Sequence, residues 1–149
     1  ECNRGTSGID GCTSTAIGSA IANSEEKHIF ISGDISFIYD SNALWTDPFP
    51  KNLKIIVLDN QGGGIFKIID GSKSSKQLER YFEAKHNANV SDIAEGFGLR
   101  IYSPKKNKDY QEQMIDFFQD EKSQILVLKT DSSENPKALN RFFKHLKNA

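Results

Sequence analysis

Residues 27–36, Lys27-His28-Ile29-Phe30-Ile31-Ser32-Gly33-Asp34-Ile35-Ser36, run from a short apolar, β-branched segment straight into glycine, aspartate and a helix start. Apolar residues follow one another in 27–32 instead of alternating with polar ones, as in a strand buried on both faces of a parallel sheet. Residues 53–58 (LKIIVL) and 124–128 (QILVL) have the same character, and 99–102 supplies a fourth, shorter strand. Between them lie helical patterns. Tyr110, Met114, Phe117 and Phe118 share one face, Leu139, Phe142, Phe143 and Leu146 another, and Val90, Ile93, Ala94 and Phe97 a third, with Gly98 placed to stop that helix. Strands alternating with helices predict an α/β, doubly wound, mainly parallel sheet with helices on both faces, each helix covering a face. Residues 61–76, rich in Gly, Ser and Lys, and 103–109, rich in Pro and Lys, read as surface loops. The first is long enough to suggest a binding role.

A chain of 149 residues is the size of one domain able to bury its own core. The 19 basic and 20 acidic residues are interleaved and leave a formal charge of -1, which excludes the basic field expected of a nucleic-acid or anionic-membrane binder. Cys2 and Cys12 do not form a CxxC pair, and His28, His86 and His145 are scattered, so a zinc site is not indicated. Two reduced thiols, a polar N-terminus without signal character and no apolar run of membrane-span length lead us to expect a cytoplasmic protein. Glu1-Cys2-Asn3-Arg4-Gly5 opens on loop chemistry with no strand before it. We therefore expect residues 1–149 to be one domain cut from a longer polypeptide.

Ligands of open parallel sheets bind beyond the carboxyl ends of the strands. The first strand runs into Gly33-Asp34-Ile35-Ser36, where glycine permits close backbone approach, aspartate offers a hard oxygen and a helix begins. The second runs into Asp59-Asn60-Gln61-Gly62-Gly63-Gly64, with an amide oxygen from Asn60 and bare backbone from the glycines. One carboxylate and two neutral oxygens leave room on a magnesium ion for a diphosphate. Taken singly, Asp34 reads better as a helix cap and the glycines as a flexible turn. Neither accounts for both strand ends together.

This pairing resembles the thiamine diphosphate signature, Gly-Asp followed after one crossover by an Asn-bearing turn. With 3–11 (NRGTSGIDG), Tyr39-Asp40-Ser41-Asn42 and Asp59 through Phe66, it is similar to the 2-succinyl-5-enolpyruvyl-6-hydroxy-3-cyclohexene-1-carboxylate (SEPHCHC) synthase family. The resemblance is specific up to about Lys76, rests on element order beyond it, and covers the C-terminal, diphosphate-binding domain of that family alone. It implies an enzyme of menaquinone biosynthesis that decarboxylates 2-oxoglutarate on thiamine diphosphate and adds the carbanion to isochorismate. It implies Asp34, Asn60 and the Gly62 carbonyl as ligands of magnesium, or of manganese in its place. Cofactor contacts fall on Gly33, Ile35, Ser36, Gly63 and Ile65, and substrate contacts on Arg4, Ile65 and Phe66, with the Arg4 guanidinium suited to carboxylates. Without the resemblance, Arg4 would read as a surface ion-pair partner, and Ile65 and Phe66 as core.

Where the common pattern has glycine after the aspartate, this chain has Ile35, and it has Asp59 where a doublet asparagine is usual. We expect the Asp59 carboxylate to point away from the phosphates. Between Gly5 and Glu26 no Lys or Arg occurs, so the second basic substrate contact of the family has no counterpart there. No catalytic residue is expected in this chain. The activating glutamate would belong to a missing pyrimidine-binding domain of the same protein, working as a homodimer or homotetramer. This chain alone is expected to be inactive. Acetolactate synthase and other thiamine diphosphate decarboxylases are the nearest alternatives. A non-catalytic nucleotide-binding or assembly domain is another, although Gly5, Gly8 and Gly11 miss the GxGxxG spacing and Gly71-Ser72-Lys73 lacks the P-loop glycine.

Overall fold

The computed structural model describes residues 8–105 and 107–148. In chain order it contains α1 (Cys12–Ala22), β1 (His28–Gly33), α2 (Asp34–Tyr39), β2 (Leu53–Asp59), α3 (Val90–Gly96), β3 (Arg100–Tyr102), α4 (Asn107–Gln119), β4 (Gln124–Lys129) and α5 (Asn135–Lys147). Each strand expected from its apolar run is present close to its expected bounds. They form one sheet in the order β1-β2-β4-β3, with β1 parallel to β2 and β3 parallel to β4. The chain divides into two compact units, Glu1–Asp59 with Asn89–Leu128, and Asn60–Ala88 with Lys129–Ala149.

The first unit holds the sheet and α1 to α4. Alternate residues of a strand point to opposite faces. Leu53, Ile55 and Val57 of β2 and Ile125 and Val127 of β4 pack with Ile17 and Ala20 of α1, Phe37 of α2, and Val90 and Ala94 of α3. Leu126 points the other way and packs with Tyr102 and with Phe117 of α4, flanked by Ile56 and Leu128. Both faces therefore carry helices, as a doubly wound fold requires. Burying a ring such as Phe117 stabilises by about 1.5–3 kcal/mol.

Asn89 caps α3 by accepting the Ser91 amide at 3.1 Å. Gly98, at φ 79°, ends it as expected: its amide and that of Leu99 donate to the Glu95 and Ala94 carbonyls. Near the other end of the sheet Lys54, 8% exposed, donates to the Asp120 and Lys122 carbonyls at 2.5 and 2.8 Å, with its ammonium 5.3 Å from the Phe117 ring centroid.

Two expectations need correction. Residues 103–109 are not all loop, because α4 begins at Asn107. Its first turn is polar and carries no apolar stripe to announce it. Residues 61–76 form no strand or α-helix, as expected of a loop, and contain 3-10 turns at Gly64–Lys67 and Ser72–Ser74. The first strand, however, is not buried on both faces: β1 lies at the edge of the sheet, and Ile29 and Ile31 are more than half exposed. In the second unit α5 packs against the Gly64–Lys67 turn. Among the described residues no helix is long and apolar enough to cross a membrane.

Candidate functional site

In the first unit, the carboxyl ends of β1 and β2 lie side by side, with Gly33 opposite Leu58. Gly33 is extended, at φ -82° and ψ 160°, and caps α2, so that Asp34 is the first helical residue instead of the cap. Asp34 is 2% exposed, and its Oδ1 accepts the Ile35 amide at 2.8 Å. A Cβ placed on Gly33 would meet nothing within 4 Å, which leaves the backbone open to a ligand. The Ser36 hydroxyl donates to the Ile9 carbonyl at 2.7 Å, tying α2 to the segment before α1. Ile35 is half-buried beside it. Asp40 closes the same corner, accepting the Ser14 amide at 2.6 Å and its hydroxyl at 2.9 Å in the first turn of α1. Asp59 is buried on the β2 face that carries Leu53, Ile55 and Val57.

The second unit begins with Asn60, the residue after β2. Gln61 takes a left-handed conformation, φ 59°, and turns the chain sharply into the glycines. Backbone crowds Gly62, and side chains stand close to Gly63 and Gly64. A Cβ on Gly64 would stand 2.5 Å from Asn60 Nδ2, one on Gly62 2.9 Å from the Glu83 carbonyl oxygen, and one on Gly63 3.0 Å from the Phe66 ring. The Gly63 amide donates to the Glu83 carbonyl at 2.5 Å, and the Gly64 amide to the Gly62 carbonyl at 2.9 Å. Ile65 is exposed. Phe66 is half-buried against Phe82, their centroids 5.7 Å apart, so Ile65 is not core and Phe66 is so only in part.

Below this turn lies a buried charge pair. Lys67 Nζ is 2.7 Å from Glu83 Oε1 and also donates to Ser132, at 3.0 Å to Oγ and 3.3 Å to the carbonyl. Burial pushes the Glu83 carboxyl up, but the Lys67 ammonium, with Lys85 and the Ser132 hydroxyl, outweighs it and holds the pKa below the usual glutamate range. Asn60 and Gln61 also line an open recess of about 450 Å³ with Lys129, Thr130, Asp131 and Ser132. Sequence reasoning passed over Glu83 and 130–132, although the latter follow β4 and so satisfy the rule that picked out Asp34 and Asn60. A larger recess, about 680 Å³, opens in the first unit near the amino ends of β1 and β2, beside Lys27, Asn52 and Lys54, away from Asp34.

The expected residues thus fall into two groups, Gly33, Asp34, Ile35 and Ser36 in one unit and Asn60, Gly62, Gly63, Ile65 and Phe66 in the other, while Arg4 lies outside the described residues. Carboxylate, amide and peptide carbonyl oxygens are the hard donors that magnesium takes beside phosphate, and the side-chain-free glycines suit a diphosphate. The residues present fit the pair. Among the described residues no cluster of three His, Cys, Asp or Glu offers an alternative metal centre.

Known proteins bear on the same residues. Residues 5–128 match the model of the thiamine pyrophosphate enzyme C-terminal TPP binding domain. The chain is 42% identical over 98% of its length to the SEPHCHC synthase of Christiangramia forsetii, and 46% over 97% to that of Flavobacterium psychrophilum. It spans 25% and 26% of those relatives, about a quarter of their length. In fold it is similar to the thiamine diphosphate-dependent 4-hydroxybenzoylformate decarboxylase of Rhodococcus jostii RHA1 (TM-score 0.61, 22% identity, 78% of this chain and 22% of that one). The benzoylformate decarboxylase of Polynucleobacter necessarius is comparable (TM-score 0.64, 13% identity, 81% and 23%). With the parallel sheet and its glycine turns, these matches establish that the chain belongs to the thiamine pyrophosphate enzyme family as its C-terminal, TPP-binding domain.

Proposed function

We propose that this chain is the diphosphate- and magnesium-binding part of a SEPHCHC synthase, which decarboxylates 2-oxoglutarate and joins the remaining four-carbon unit to isochorismate in menaquinone biosynthesis. The observation that carries the reading is the pair of strand ends: β1 runs into a buried aspartate, and β2 into an asparagine followed by three glycines, the first of them with backbone packed against it. The similarity to synthases of that name over nearly the whole chain supports this member among thiamine diphosphate enzymes.

Thiamine diphosphate, when bound, supplies the nucleophilic carbon and the electron sink for decarboxylating a 2-oxo acid. This chain's own residues hold and orient it. Asp34, Asn60 and the Gly62 carbonyl would hold the magnesium (or manganese), and the Gly33 and Gly63 backbone, with Ile35 and Ser36, would border the diphosphate. The Ser36 proton is given to Ile9, so Ser36 acts there through its oxygen or through the helix start it anchors. Ile65, more than half exposed, and Phe66 form an apolar edge that excludes water from the reacting centre. Arg4 meets substrate carboxylate. The glutamate that activates the cofactor is assigned to a pyrimidine-binding domain elsewhere in the protein, which we take to be a cytoplasmic homodimer or homotetramer.

The test is turnover by the full-length protein. Consumption of 2-oxoglutarate and isochorismate only when magnesium and thiamine diphosphate are both present is expected. Consumption of 2-oxoglutarate with equal efficiency in the absence of isochorismate would favour a simple decarboxylase, and no consumption at all would end the synthase reading.

A further inference from the structure

We propose that the buried Lys67–Glu83 pair is a positioning device that sets the Gly62–Gly63 turn for metal binding, an inference that rests on the assignment of Gly62 as a ligand. The Glu83 side chain is fully buried and that of Lys67 is 17% exposed. A carboxylate taken out of water costs several kcal/mol unless its partners are well placed, and apolar residues of similar volume would commonly pack as well. A buried pair of this kind is weak evidence for stability, which leaves its geometry as the feature to explain.

The geometry leads to the turn from both ends. Glu83 presents its backbone carbonyl to the Gly63 amide at 2.5 Å, and the same oxygen would be 2.9 Å from a Cβ on Gly62. Lys67 closes the 3-10 turn Gly64–Lys67 and reaches Ser132, just beyond β4. Residues 62–67, residue 83 and residue 132 are therefore pinned to one buried charge. Shifting the Glu83 side chain would shift the carbonyl that fixes Gly63, and with it the direction of the Gly62 carbonyl. Phe66, Phe82 and their contact supply packing there, but an apolar contact does not set the direction of a peptide group.

The experiment compares the full-length wild type with Lys67→Arg and with the double variant Lys67→Met/Glu83→Gln, which removes both charges and preserves volume. Three readouts are taken: cofactor-free melting temperature, the magnesium concentration that half-saturates thiamine diphosphate binding by calorimetry, and KM for 2-oxoglutarate at saturating cofactor. The double variant is expected to fold, to need at least about tenfold more magnesium, and to keep its KM, while Lys67→Arg restores near-wild-type magnesium dependence; tenfold corresponds to about 1.4 kcal/mol. Unchanged magnesium dependence in the double variant beside a wild type that binds would overturn this inference alone. Collapse of the double variant would also overturn it, by making the pair a support of the fold instead of the turn. A wild type that takes up no cofactor would overturn the site assignment and this inference with it.

Discussion

The Gly63 amide donates to the Glu83 carbonyl at 2.5 Å, so a buried acidic residue and a glycine distant in sequence form one small substructure. Gly62 and Gly63 have backbone lying against them, which accounts for the absence of a side chain there without any need for flexibility.

Gly62→Ala follows from that contact. The new Cβ would stand 2.9 Å from a peptide oxygen that no rotamer change can move. A cost of about 1–3 kcal/mol is expected from overpacking, read as a lower melting temperature of the full-length protein together with weakened magnesium-dependent cofactor binding.

Gly33→Ala should separate the two effects. The backbone at φ -82° suits alanine, and nothing lies within 4 Å of the added Cβ. Stability is expected to stay level or rise by about 0.4–1 kcal/mol. Thiamine diphosphate binding should nevertheless fall, because the methyl group fills the space assigned to the diphosphate. Calorimetry that finds unaltered binding would remove Gly33 from the cradle.

Phe117→Ala tests the second face of the sheet. Phe117 is the fully buried α4 residue against Leu126 and Tyr102. A loss of about 3–5 kcal/mol is expected, measured by chemical denaturation, and a loss under 1 kcal/mol would mean that α4 does not hold this face.

Asp120 gives a pH dependence of defined sign. The Lys122 amide holds its carboxyl below the usual range; burial works against this, and Gln124, Arg100 and Lys54 add to the lowering. The folded pKa is therefore lower than the unfolded value near 3.8. Stability from this group is fully present above that value and is lost as pH falls through the lower folded one. Asp120→Asn should lower the melting temperature by a constant amount at neutral and mildly acid pH, and by progressively less below it. A gap that widens on acidification would contradict the assignment.

The sheet was legible because its strands are continuous apolar runs, and Gly98 because only a left-handed residue closes α3 in that way. α1 was not, since Cys12–Ala22 mixes Thr, Ser, Gly and Ile with little amphipathic contrast and takes its first-turn support from Asp40, far along the chain. The cradle residues could be read because strand ends mark ligand sites. The Lys67–Glu83 pair could not, because two ordinary surface-type residues in a loop carry no spacing signal and meet only through the fold. Ile29 and Ile31 show the opposite failure: a continuous apolar run says that a segment is a strand, not that both of its faces are covered.

The central claim is that Asp34 holds the metal of the diphosphate site, and calorimetry on full-length Asp34→Ala tests it most directly. Asp34 is 2% exposed at the end of β1, and its removal should abolish or weaken magnesium-dependent thiamine diphosphate binding by at least about a hundredfold, or roughly 2.7 kcal/mol, while the protein still folds. Binding in Asp34→Ala with wild-type affinity and wild-type magnesium dependence would contradict the account.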